Sequence, residues 1–250
     1  MAGHSKWANI KHRKGRQDAL KGKIFTQMGK EITISAREGG GDTDMNPRLR
    51  LAVKKARDND MPKDNIERAI KKGTGELEGQ AFEEYRYEGY GPGGVAIIVE
   101  TISDNKNRTV AEVRASFNKY DGNMGETNSV AWNFDRKGVV TIKSSGASEE
   151  DLMMETLEAG GEDVDYDTDS SRIICTLNDY NSVNEYFDKS IFEIEDSQLE
   201  YIPKNKVKIT DVSTAKKVML FLDKMEEVDD VQNVYNNADI DDSVIDQLDL

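Results

Sequence analysis

From residue 17 to 75 the apolar positions fall at helical spacing. Leu20, Ile24, Phe25, Met28 and Ile32 recur at steps of three and four, which marks one face of a helix ended by Gly39, Gly40 and Gly41. After Asn46-Pro47 a second helix carries Leu49, Ala52, Val53 and Ala56 at i, i+3, i+4 and i+7. Pro62 opens a third, with Ile66, Ala69 and Ile70 on one face and Gly73 as its stop. Three short helices with these faces predict a small bundle.

From Phe82 the period shortens to that of strands. Segments 82–90 and 95–101 flank Gly91-Pro92-Gly93-Gly94, which predicts a hairpin. Ser103 or Asp104 is placed to cap a helix bearing Val110, Val113, Ala115 and Phe117, stopped at Asp121-Gly122, ahead of a strand at 130–134. A strand at 139–143 leads to a capping signal at Ser148 and Asp151 and a helix with Leu152, Met153, Thr156 and Leu157, closed by Gly160-Gly161. Strands at 163–167 and 172–177, a helix over 180–192 and a strand near 199–202 complete the order βαββαβ, which is ferredoxin-like. Beyond Pro203, a strand at 207–209, a helix with Val218, Leu220, Phe221, Leu222 and Met225, and a strand at 231–235 are expected to complete the sheet begun at Phe82.

The expected fold class is therefore α+β. A basic arm and three-helix bundle occupies 1–79, and a discontinuous ferredoxin-like domain is built from 80–138 and 204–238. A second ferredoxin-like domain, 139–203, is inserted into it, and an acidic, frayed tail fills 239–250.

Composition adds a charge asymmetry that the hydrophobic pattern does not show. The chain of 250 residues has a net charge of -14, yet its first thirty residues hold eight Lys or Arg against a single acid, Asp18. Residues 1–75 hold 18 Lys and Arg against 9 Asp and Glu, and the remaining 175 hold 16 against 39. A cationic end concentrates polyanions and releases their counterions on contact, while the acidic remainder repels the same ligand. Nucleic acid gripped by one end is the expected partner. The longest apolar run, 95–99, is far too short to cross a bilayer, so no membrane partner is expected. Cys175 is the only cysteine, and its neighbours Ile173, Ile174 and Leu177 mark it as a buried strand residue. With no secretory or transit signal read at the start, the expected compartment is the reducing cytoplasm.

Catalytic and metal chemistry find little support. His4 and His12 are the only histidines, and with Cys175 remote there is no zinc-like spacing. Gly91-Pro92-Gly93-Gly94 lacks the GK-[ST] and helix of a phosphate loop and reads as a hairpin; Lys71-Lys72-Gly73 reads as helix termination. The acids at 162, 163, 165, 167 and 169 lack the glycine and terminal Glu of a calcium loop and alternate as an exposed strand face does. No cofactor, metal or small-molecule substrate is expected. Trp7, between Lys6 and Lys11, suits either stacking on a base or closing over the helical bundle.

The opening MAGHSKWANIKHRKGRQDA, with MPKDNIERAIKKG at 61–73, YEGYGPGGVAIIVE at 87–100 and N-R-T-x-x-x-V-R at 107–114, resembles the YebC family. The resemblance runs over essentially the whole chain. It implies a helical bundle and two ferredoxin-like domains, and no enzymatic activity. It also implies two roles that one protein can combine, a cytoplasmic DNA-binding regulator of transcription and a ribosome-associated factor that helps translation through proline-rich sequences; a mitochondrial relative is called the translational activator of cytochrome oxidase. The family's opening block corresponds to Gly3, His4, Ser5, Lys6, Trp7, Lys11, His12, Arg13 and Lys14. The expected nucleic-acid contacts are His4, Lys6, Trp7, Lys11, His12, Arg13, Lys14, Arg16, Lys21 and Lys23, with Arg48, Arg50, Lys54 and Lys55 on the second helix. DNA and ribosomal RNA both remain open as the ligand, and the ribosome as a partner.

Overall fold

The computed structural model describes residues 17–79, 81–245 and 247–248. Helix α1 (Gln17–Gly39) packs against α2 (Pro47–Asp58) and α3 (Lys63–Gly73) around a core of Ile32, Ala36, Leu49, Val53, Ala56, Met61 and Ile66. Asn46 caps α2: its side-chain oxygen accepts from the Leu49 N–H at 3.1 Å, and its amide donates to the carbonyls of Ser35 and Gly40 at 2.7 and 2.8 Å. One side chain thus ties the start of α2 to the end of α1. Gly73 sits where α3 meets α1, since a Cβ there would fall 2.3 Å from the Thr33 carbonyl oxygen.

The chain continues through β1 (Glu83–Tyr90), β2 (Ala96–Ser103), α4 (Lys106–Lys119) and β3 (Asn123–Met124). Next come β4 (Phe134–Lys143), α5 (Glu149–Ala159), β5 (Asp163–Asp165), β6 (Ser170–Cys175), α6 (Tyr180–Asp188) and β7 (Ile194–Pro203). It closes with β8 (Val207–Ile209), α7 (Val212–Glu226), β9 (Val231–Asn236), β10 (Ala238–Ile240) and α8 (Asp242–Ile245). Two antiparallel four-stranded sheets result, ordered β3-β1-β2-β9 and β5-β6-β4-β7. The second is the ferredoxin-like arrangement, and all its strands lie between β3 and β8 in the chain. The first has the same spatial order with a rearranged chain path: β1, which pairs β2 through the Pro92–Gly94 turn, fills the place that in the second sheet belongs to β6.

Each sheet buries one face under its helices. Val95, Ile97, Val99, Phe117, Phe221, Met225 and Val231 fill the first core, and Val140, Ile142, Leu152, Ile173, Cys175 and Phe187 the second. The two units also touch, because the opposite face of β2 offers Ala96 and Ile98 to Val130, Phe134, Tyr235 and Tyr201. Strand β2 is therefore covered on both faces, which accounts for a continuous apolar run where a half-exposed strand would alternate.

Four local expectations give way. The cap of α4 is Asn105, which accepts from the Arg108 N–H at 3.1 Å, rather than Ser103 or Asp104. The two strands expected at 130–134 and 139–143 are a 3₁₀ turn, Ala131–Asn133, followed by the single strand β4. Strand β8 does not join the sheet begun at Glu83 but pairs in parallel with β10. Finally, the acidic frayed end expected over 239–250 is folded in its described part: Ile240, Val244, Ile245 and Leu248 are buried in the first core. Their spacing of four, one and three presents one apolar face, and that burial outweighs the acidity of the residues between them.

Candidate nucleic-acid interface

Helix α2 carries its cations on two flanks separated by the apolar seam. Arg48 and Lys55, seven residues apart, share the flank turned toward the acidic body. The Arg48 guanidinium bonds Glu31 at 2.8 Å, Glu38 at 2.7 Å and Glu84. Burial works against its charge, but the bonds it donates to Glu31 and Glu84 prevail and raise its pKa. Lys55 reaches Asp196 of β7 at 3.0 Å. Arg50, Lys54 and Arg57, at i, i+4 and i+7, share the other flank and are exposed. Among the described residues Arg50 donates only to the Asp44 carbonyl, at 3.3 Å. Helix α3 adds exposed Arg68, Lys71 and Lys72. Among the described residues, none of these six forms a salt bridge.

Helix α1 uses its polar face differently. Lys23, Gln27 and Lys30, again at i, i+4 and i+7, grip the turn between α7 and β9. Lys23 donates to the Glu226 and Val228 carbonyls, Gln27 to the Val231 carbonyl at 2.6 Å, and Lys30 to the Asp229 carbonyl at 3.2 Å. Burial lowers the pKa of Lys23, with Asp229 and Glu226 opposing it. Lys30 also forms a buried ion pair with Asp230 at 2.7 Å. Asp230 accepts further bonds from Thr109 at 2.6 Å, Arg108 at 2.8 Å and Ser103 at 2.9 Å. Burial alone would raise the Asp230 pKa, yet these four donors hold it well below the usual carboxylate range. A cleft lined by Lys23, Gln27, Gln198, Gln232, Asn233 and Tyr235 lies between α1 and the two sheets.

The expected contact residues thus divide. His4, Lys6, Trp7, Lys11, His12, Arg13, Lys14 and Arg16 lie outside the described residues, and Lys21 falls within α1. Lys23, Arg48 and Lys55 are committed to internal partners, so among the described members of the set only Arg50 and Lys54 present cations to solvent without an ion pair. Arg57 on the same flank was missed, although its spacing of three from Lys54 and seven from Arg50 marks it from the sequence. Among the described residues no group of three or more His, Cys, Asp or Glu could hold a metal ion, and no helix is long and apolar enough to cross a membrane.

The comparisons with known proteins cover the whole arrangement. The profile of the TACO1/YebC protein N-terminal domain matches residues 5–76, and that of the TACO1/YebC second and third domain matches residues 82–238. A protein from Fusobacterium nucleatum named a probable transcriptional regulatory protein is 52% identical over 249 residues, covering 100% of both chains. One of the same name from Natranaerobius thermophilus is 54% identical over 248 residues, covering 98% of this chain and 99% of its own. The crystal structure of a conserved hypothetical protein from Aquifex aeolicus superposes with a TM-score of 0.87 at 44% identity, over 95% of this chain and 98% of its own. Bundle, paired sheets and the segments that join them all fall within these matches, and the chain belongs to the TACO1/YebC family.

Proposed function

We propose that this protein is a non-enzymatic regulator of gene expression that binds nucleic acid through its N-terminal arm and helical bundle. The observation that carries the reading is the division of α2: acids of β1 and β7 take Arg48 and Lys55, and the opposite flank offers Arg50, Lys54 and Arg57 to solvent. Cations spaced along one helix flank suit phosphates of a backbone, which supply affinity without sequence information. The names of the relatives favour DNA and transcription.

The test is to change Arg50, Lys54 and Arg57 to Glu, alone and together with Lys11, Arg13, Lys14 and Arg16, and to measure binding to duplex DNA and to ribosomal RNA across salt. Each lost phosphate contact should reduce the slope of log affinity against log salt by about 0.7 to 0.9. Unchanged affinity and slope on both ligands would refute the proposal. A second reading, a translation factor seated on the ribosome, is favoured by the excess of 39 acids over 16 bases in residues 76–250, a surface that suits basic ribosomal proteins while the bundle meets RNA. Sedimentation with ribosomal subunits, lost when residues 1–30 are removed, distinguishes it from retention on promoter DNA.

A further inference from the structure

Only two aromatic side chains among the described residues are exposed, and they share a hydrogen-bond acceptor. Trp132 is 64% exposed and Tyr90 40%. Both donate to one acceptor, the carbonyl of Ser129: Trp132 through Nε1 at 3.0 Å and Tyr90 through its hydroxyl at 3.4 Å. The chain that carries Trp132 is fixed from two sides. The buried Glu88 carboxylate accepts from the backbone N–H groups of Asn128 and Val130 at 3.0 Å and of Ala131 at 2.8 Å. The buried Asn133, next to Trp132, accepts from the Asn205 N–H at 3.0 Å and donates to the Asn205 carbonyl at 2.9 Å, while its own carbonyl takes the Lys204 N–H. Asn128 is held at a left-handed φ of 66° to shape the turn, and the Ser129 hydroxyl is buried without a partner.

A tryptophan held rigid yet wet leaves unused the large apolar area that burial would reward. Its surroundings do not resemble the apolar pocket of a protein hot spot: the Arg86 guanidinium donates to the Asn128 side-chain oxygen at 3.0 Å, Lys204 pairs with Asp135 at 2.9 Å, and Lys206, next along the chain from the anchored Asn205, is exposed. Flat aromatic faces beside cations and amides are what an unpaired base and its flanking phosphates require. The pair lies at the end of β1 remote from the bundle: Glu84 bonds Arg48, and Tyr90 follows six residues later, about 20 Å along the strand. We propose that Trp132 and Tyr90 form a second contact for single-stranded nucleic acid, stacking an unpaired base while Lys206 takes an adjoining phosphate. This rests on the nucleic-acid reading above and adds to it a site on the body of the molecule.

The chain has two tryptophans, so a full-length Trp7→Phe protein leaves Trp132 as the sole emitter. A labelled oligouridine of about ten nucleotides is titrated while its anisotropy and the Trp132 emission are read together. The expected result is saturable quenching with the midpoint of the anisotropy curve. Trp132→Ala should weaken binding about tenfold and Trp132→Tyr should restore most of it. Binding by anisotropy with unquenched Trp132, and an unchanged midpoint in Trp132→Ala, overturns the stacking site and leaves the bundle reading standing. No binding of this oligomer or of duplex DNA by the unsubstituted protein, in which the expected contact Trp7 is intact, overturns both. Loss of ribosome association in Trp132→Ala at unchanged oligonucleotide affinity assigns the aromatic pair to a protein partner and overturns the proposal.

Discussion

Asp230 is the acceptor on which the bundle and the first sheet meet, and its removal should have a large and specific cost. The carboxylate is 2% exposed and takes bonds from Lys30, Thr109, Arg108 and Ser103. In Asp230→Ala, Arg108 can turn to water because its side chain is 45% exposed, but that of Lys30 is only 9% exposed and keeps the Asp229 carbonyl at 3.2 Å and the face of the Phe82 ring at 6.0 Å, neither of them a counter-charge. Breaking a buried pair by removing one member costs about 3–5 kcal/mol. Lys30→Met leaves Asp230 with three donors, so its cost is that of one charged hydrogen bond, about 1.5–3 kcal/mol. The double variant strands neither charge and should cost less than the two single changes together by about 1.5–3 kcal/mol. Urea unfolding followed by circular dichroism and by tryptophan emission measures all four corners of the cycle and shows whether bundle and sheets still unfold together. The pH dependence follows in sign. Because the folded Asp230 pKa is depressed, its contribution is complete above the ordinary carboxylate value near 4 and fades as pH falls toward the lower folded value. Asp230→Asn should therefore lose stability at neutral pH and flatten the acid limb. A cost for Asp230→Ala below about 1 kcal/mol, or strict additivity in the cycle, would refute the reasoning.

Two further outcomes test the turn and the first sheet. Glu88→Ala deprives three backbone N–H groups of their acceptor and leaves Arg86 only its neutral partners Tyr201 and Asn128 among the described residues, so it should cost about 2–5 kcal/mol and lower the anisotropy of Trp132 emission in the Trp7→Phe protein; an unchanged anisotropy would show that the carboxylate does not hold the turn. Gly89→Ala puts a Cβ 2.4 Å from the Asn123 carbonyl oxygen and 2.8 Å from the Phe117 ring, so β3 should separate from β1 at a cost of about 2 kcal/mol or more, read by urea unfolding and by hydrogen exchange at Asn123 and Met124.

Much of the fold was legible because local signals agreed with the tertiary outcome. Asn46-Pro47, Ser148 with Asp151, and Gly160 at a φ of 89° mark helix ends in sequence and in structure alike. The failures have particular causes. Asp135, Arg136, Lys137 and Gly138 look like a break, yet they lie within β4: Arg136 stands over the Tyr201 ring at 5.8 Å, and Gly138 leaves room for Tyr180 and the Cys175 sulfur, which a Cβ would meet at 2.5 and 2.8 Å. A strand glycine required by close approach is indistinguishable from a turn glycine until its neighbours are known. The partner of β8 was equally hidden, since β10 lies in a segment whose acidity masks four apolar anchors.

The candidate interface was legible in residue type and not in availability, and the reason is physical. Whether a lysine grips phosphate or the protein itself depends on acids far away in sequence: Lys55 on Asp196, Lys30 on Asp230, Arg48 on Glu84. Each such pair removes one charge of either sign, so the net charge of the bundle relative to the body is untouched while its location changes. Because Arg48 and Lys55 anchor one flank of α2 to β1 and β7, helical geometry turns Arg50, Lys54 and Arg57 away from those acids. The internal ion pairs therefore orient the bundle: they fix which of its cations a polyanion can reach, and a variant that breaks them, such as Asp196→Asn, should weaken binding only insofar as α2 turns, with the exposed flank itself unaltered.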